Sequence, residues 1–184
     1  MGRIVLVTGG SRSGKSDYAT RIAMELTGPR VFVATCPALD NEMRERIRKH
    51  QEARRGFGWT TIEEPFDIAK VLRENTKFRL FLIDCLTLWV NNLMYLSESQ
   101  GQDLSEEEIA DRAQDVLHAC HSVEGTVIFV TNEVGWGIVP LEPSARRFRD
   151  LAGRCNQIIA QGAHHVMLVV CGLPLTLKQE EEHH

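Results

Sequence analysis

At 184 residues, with 43% hydrophobic and 25% charged side chains, the chain is sized for one globular domain, which excludes a disordered or collagen-like protein. A net charge of −4, from 21 Lys and Arg against 25 acids, argues against coating nucleic acid or an anionic membrane, and no apolar run approaches the ~20 residues of a membrane span. Five cysteines without a C-x-x-C pair fit neither a disulfide framework nor a zinc ribbon, so a reduced, cytoplasmic enzyme is expected.

Short apolar runs alternate with helical patterns, the order of βα units around a mainly parallel sheet. Arg3–Thr8 reads as the first strand, Gly9–Gly14 as a turn, and Lys15 to about Leu26 as a helix with Tyr18, Ile22 and Leu26 on one face. Gly28-Pro29 stops that helix, and Arg30–Thr35 is a second strand. Asp40 can cap a polar helix to about Gln51, followed by a loop at Arg54–Gly58 and a short strand at Trp59–Ile62. Pro65–Glu74 reads as a helix opened by proline, Phe78–Asp84 as a strand buried on both faces, and Leu86–Leu96 as a helix.

A polar loop over Ser97–Asp103 leads to Ser105-Glu106-Glu107-Glu108, a capping box that opens a helix to about His121. Thr126–Val130 is another buried strand, Ser144 to about Gly162 a long helix, and His165–Val170 the last strand. There is no internal repeat or linker, so residues 1–178 are expected to form one domain, with 179–184 a frayed polar tail. Trp89 and Trp136 are expected to be exposed.

Chemistry enters at Gly9-Gly10-Ser11-Arg12-Ser13-Gly14-Lys15-Ser16, which fits G-x-x-x-x-G-K-[ST] between a strand and a helix. The glycines let consecutive backbone N–H groups point at phosphate oxygens, and the helix N-terminus adds the positive end of its dipole. Lys15 then reaches the β- and γ-phosphates, and the Ser16 hydroxyl can ligate Mg2+. Such a loop needs an acid at the end of a nearby buried strand, and Asp84 supplies one; it also suits a cap for the helix that follows. Thr131-Asn132-Glu133 ends the next buried strand in the same way, either as groups facing the ligand crevice or as ordinary turn residues. No Asn-Lys-x-Asp guanine signature is present, which disfavours a GTP-hydrolysing switch.

Three blocks together resemble one family. They are Thr8–Ser16; Arg46-Ile47-Arg48-Lys49-His50 with Arg54-Arg55, Trp59, Thr61 and Glu63-Glu64-Pro65; and Val130–Pro140 with Arg147–Arg154 and Asn156. The family is the bifunctional adenosylcobinamide kinase/adenosylcobinamide-phosphate guanylyltransferase of cobalamin synthesis, and the resemblance runs from about Ile4 to Lys178. It implies a RecA-like P-loop fold, a homotrimer and two reactions. ATP or GTP phosphorylates the aminopropanol hydroxyl of adenosylcobinamide. GTP then transfers GMP to a histidine and onward to adenosylcobinamide phosphate, giving adenosylcobinamide-GDP.

Matched by position, the resemblance makes His50 the guanylylated residue. It places nucleotide contacts on Gly9, Gly10, Ser11, Arg12, Ser13, Gly14, Lys15 and Ser16, on Ala34, Thr35 and Cys36, on Gln51, Glu52, Ala53 and Arg54, and on Glu63 and Asp84. Ser16 and Asp84 are the expected Mg2+ ligands. On the bare sequence His50 fits a surface residue of a polar helix as well as a nucleophile, and the basic cluster Arg46, Arg48, Lys49, Arg54 and Arg55 could neutralise charge on a phosphate beside it. The chain departs from the family pattern at Gly56, where proline is usual, and at Cys36. A single-activity P-loop kinase or guanylyltransferase, or a nucleotide-binding module without turnover, remain the alternatives.

Overall fold

The computed structural model describes residues 2–36 and 56–180. His50, Gln51, Glu52, Ala53 and Arg54, the helix expected over Asp40–Gln51 and the whole basic cluster from Arg46 to Arg55 lie outside the described residues.

Among the described residues seven strands form one sheet: β1 (Arg3–Thr8), β2 (Arg30–Ala34), β3 (Trp59–Glu63), β4 (Leu80–Asp84), β5 (Thr126–Val130), β6 (His165–Val170) and β7 (Leu173–Gln179), in the order β3-β2-β4-β5-β1-β6-β7. Every pairing is parallel except β6–β7. Among the described residues five α-helices cover the sheet: α1 (Lys15–Met24), α2 (Ile68–Glu74), α3 (Leu86–Ser99), α4 (Glu106–Cys120) and α5 (Pro143–Gly162).

Because alternate side chains of a strand face opposite ways, each central strand feeds two cores. Ile4 and Leu6 of β1, Phe81 and Ile83 of β4 and Val127 and Phe129 of β5 pack under α2–α5, with Leu86, Trp89, Ile109, Leu117 and Ile159. Val5, Val7, Leu80, Leu82, Ile128 and Val130 face the other way, against Ala19 and Ala23 of α1. The continuous apolar runs of β1, β4 and β5 therefore reflect burial on both faces, as parallel strands require.

Several expected boundaries move for identifiable reasons. The second helix starts at Ile68, not at Pro65: the Glu64 carboxylate accepts from the N–H groups of Phe66 and Asp67, and the Asp67 carboxylate caps the N–H of Lys70. Helix α3 runs on to Ser99, through residues expected in a polar loop. The capping box forms as expected, with the Ser105 hydroxyl accepting from Glu108 N and the Glu108 carboxylate accepting from Ser105 N.

Strand β7 was not expected, and β6 is not the last strand. Leu173, Leu175 and Leu177 alternate with polar or kinked positions, but their side chains stay largely exposed on an edge strand, so no buried run marks it. The strand takes in Gln179, and the N–H of Glu180 still bonds the carbonyl of His164. Trp89 is only 2% exposed, contrary to expectation, with its indole N–H donating to the Phe66 carbonyl at 2.7 Å; Trp136 is 67% exposed, as expected.

Candidate active site

The carboxyl ends of the parallel strands meet on one edge, and most of the expected site residues in the described chain lie there. The P-loop Gly9–Ser16 follows β1 directly and runs into α1. Gly9 sits where a Cβ would fall 2.4 Å from the Val169 carbonyl oxygen and 2.7 Å from Ser13 Oγ, so no larger residue fits. Gly14 adopts a left-handed conformation (φ 89°) at the helix N-cap, and no side chain among the described residues caps α1, so the N–H groups of its first turn are suited to an anion. The N–H of Ser13 bonds the Gly10 carbonyl at 3.3 Å, and that of Gly172, in the β6–β7 turn, bonds the Ser13 carbonyl at 2.8 Å. A hairpin absent from the expected fold thus buttresses the loop.

Lys15 is buried to 9% exposure, and its ammonium group donates to the Gly10 carbonyl at 3.3 Å. The Ser13 hydroxyl is buried without a hydrogen-bond partner among the described residues. Unmet donors and a poorly satisfied ammonium around one loop are what a phosphate would complete.

Asp84 ends β4 with partial burial. It is not beside the P-loop strand, because β5 lies between β1 and β4. Burial, and secondarily the neighbouring Asp84 charge, push the Cys85 thiol up to about 11. Ala34 and Glu63 are register partners at the ends of β2 and β3, so the Ala34–Cys36 turn and the exposed Glu63 fall on the same edge. Thr35 is fully buried: its hydroxyl donates to the Cys85 carbonyl and accepts from the Cys85 N–H, both at 2.8 Å, while its own carbonyl accepts from Asn92 Nδ2 at 2.7 Å.

Sequence reasoning left open one group that the tertiary structure places firmly. Thr131-Asn132-Glu133, at the end of β5, is locked by Thr87 and Asn156. Glu133 accepts from the Thr8 hydroxyl at 2.5 Å and its N–H bonds the Gly9 carbonyl at 3.2 Å. In the sequence the signals were an acid after a buried strand and its place in the Val130–Pro140 block of the family resemblance.

A mostly parallel sheet, helices on both faces and a Gly-Lys-Ser loop between β1 and α1 define a P-loop nucleotide-binding protein of RecA-like architecture. In agreement, a KaiC-like protein from Pyrococcus horikoshii superposes with a TM-score of 0.54 over 91% of this chain and 70% of its own, at 17% identity, a likeness of fold alone.

The family is narrower. Residues 5–177 match the model described as CobU, cobinamide kinase / cobinamide phosphate guanyltransferase, and the chain belongs to that family. It is accordingly a transferase of cobalamin biosynthesis with both activities. Relatives include the bifunctional adenosylcobalamin biosynthesis protein CobP of Pseudomonas aeruginosa, 41% identical over 95% of this chain and 97% of its own. The CobU proteins of Escherichia coli and Salmonella typhimurium are 35% and 37% identical, each over 95% of this chain and 99% of theirs.

Proposed function

We propose that one P-loop site phosphorylates the aminopropanol hydroxyl of adenosylcobinamide with ATP or GTP, and that His50 then carries GMP from GTP to the new phosphate, releasing pyrophosphate and yielding adenosylcobinamide-GDP. The observation that carries this reading is the cradle itself: a buried Lys15 whose hydrogen bonding among the described residues goes to the Gly10 carbonyl alone, at the start of a helix that no described side chain caps. Lys15 draws the phosphates in and offsets charge that develops on them during transfer. The turn Ala34–Cys36, with Glu63 and Asp84, borders the same edge of the sheet and is suited to contact the rest of the nucleotide.

Ser16 and Asp84 form an all-oxygen donor pair, the type that suits Mg2+, an ion that keeps several waters and leans on substrate phosphates. When bound, Mg2+ would neutralise charge between the transferred phosphates. His50 attacks through a neutral ring nitrogen, the nucleophilic form of an imidazole, and the basic residues around it in the sequence suit the charge on the phosphates. Gln51, Glu52 and Ala53 accompany it as nucleotide contacts. A homotrimer and a cytoplasmic setting belong to the same reading; the exposed Trp136, Ile138 and Leu141 offer apolar surface for such an assembly.

The test uses GTP labelled at the α-phosphate with Mg2+. Label on the wild type that is acid-labile and absent from His50→Ala is expected. No label on protein shown to bind GTP would remove the histidine relay and leave the kinase reaction to be assayed alone.

A further inference from the structure

We propose that Glu133 is the general base of the kinase reaction, the group that accepts the proton of the substrate hydroxyl. Strand β5 lies between β1, which carries the P-loop, and β4, which ends in Asp84, so the residues leaving β5 emerge between the two halves of the phosphate site. Glu133 is anchored there at both ends. Its N–H bonds the Gly9 carbonyl at 3.2 Å, and its Oε1 accepts from the Thr8 hydroxyl at 2.5 Å and from Asn156 Nδ2 at 3.4 Å.

Those donors are all neutral. Glu133 forms no ion pair with any Lys or Arg among the described residues, and its second carboxylate oxygen makes no hydrogen bond with them. A partly buried carboxylate beside a loop built for polyphosphate works against binding, because like charges repel. Placing it there makes chemical sense if it handles a proton.

The surroundings hold the residue rigidly. Asn156 Nδ2 also bonds the Asn132 carbonyl at 3.1 Å, and its Oδ1 accepts from the buried Thr131 hydroxyl at 2.7 Å. The Thr87 hydroxyl accepts from Asn132 N at 2.8 Å. One carboxylate oxygen is thus engaged by these donors, while the other makes no hydrogen bond among the described residues.

In the step, the hydroxyl oxygen forms its bond to the γ-phosphorus while its proton moves to the second oxygen of Glu133. The bond from the γ-phosphorus to the bridging oxygen breaks, and its electron pair leaves with the nucleoside diphosphate. The two reactions differ in their need for this help. The kinase acceptor is an alcohol, un-ionised at neutral pH, whereas the guanylyl acceptor is a phosphate monoester whose second ionisation lies near pH ~6. Glu133 therefore serves the first reaction and not the second.

This inference rests on the kinase half of the function proposed above, and one set of assays separates the two. Phosphorylation of adenosylcobinamide, labelling of the protein by GTP, and GMP transfer to pre-formed adenosylcobinamide phosphate are measured for wild type, Glu133→Gln and Glu133→Ala. In both variants kcat for phosphorylation is expected to fall by about 10²–10⁴, with the corrinoid KM within about threefold and both guanylyl steps retained. Variant phosphorylation within about threefold of wild type would overturn the assignment. So would a parallel loss of all three reactions in both variants, which would make Glu133 a structural or nucleotide-binding group. Wild-type protein that makes no adenosylcobinamide phosphate would sink the kinase reading instead.

Discussion

Thr35 and Cys85 clasp the ends of two neighbouring strands: one hydroxyl donates to the carbonyl of Cys85 and accepts from its N–H, each at 2.8 Å, with Thr35 fully buried. The clasp joins β2 to β4 one residue past Asp84, so it sets where that carboxylate sits relative to the turn Ala34–Cys36.

Thr35→Val keeps the shape and removes both bonds. The buried Cys85 N–H loses its partner, at about 1–3 kcal/mol, while the Cys85 carbonyl keeps the bond from the N–H of Trp89 at 3.2 Å. A loss of roughly 1–3 kcal/mol in urea unfolding is expected, together with weaker nucleotide binding, because Asp84 is no longer held in place. A variant as stable as wild type would show that Cys85 finds other partners.

Lys15→Ala separates binding chemistry from folding. Apart from the long bond to Gly10, Lys15 makes no hydrogen bond or ion pair among the described residues, so the melting temperature is expected to stay near that of wild type. Phosphorylation should fall by at least ~10²-fold, the usual cost of deleting a group aimed at developing charge. Parallel thermal melts and kinase assays check both halves.

Gly9→Ala and Gly10→Ala form a matched pair. A Cβ at Gly9 would lie 2.4 Å from a backbone oxygen of β6, whereas one at Gly10 would meet nothing within 4 Å. Gly9→Ala is expected to cost about 1–3 kcal/mol of stability, as overpacking does, and Gly10→Ala to be near neutral in nucleotide-free melts. Equal effects would mean that the loop relaxes around the added methyl.

The cysteines predict a labelling order. Burial favours the uncharged thiol, which pushes Cys85 up to about 11 and Cys120 and Cys155 up to about 12, while Cys171 is exposed at the hairpin turn. At pH 8 a rise of about two units lowers the reactive thiolate fraction ~100-fold. Iodoacetamide on the native protein should therefore modify Cys171 and spare Cys85, Cys120 and Cys155 until denaturant is added, which peptide mapping by mass spectrometry reads directly.

Much of this protein was legible in its residues because the governing interactions are local. The Gly-Lys-Ser loop, the Ser105 capping box and the continuous apolar runs of β1, β4 and β5 each express a rule that operates within a few residues. The three-block resemblance gave the family, and the family match agrees with it. Strand β7 escaped because its leucines sit on an exposed edge, where no burial pattern distinguishes a strand from a tail. Trp89 looked like surface because a lone indole in a helix says nothing about which face it occupies, and here it fills the core under α2.

What the sequence determined by itself was the phosphate cradle, the parallel α/β architecture and the two-reaction family, since each depends on contiguous motifs. What only the tertiary structure decided was the order of the strands. By placing β5 between the P-loop strand and the Asp84 strand, it brings Glu133, distant by more than 100 residues, onto the hydroxyl of Thr8. Strand order is fixed by how two cores pack against a twisted sheet, a property of the whole chain that no local window contains.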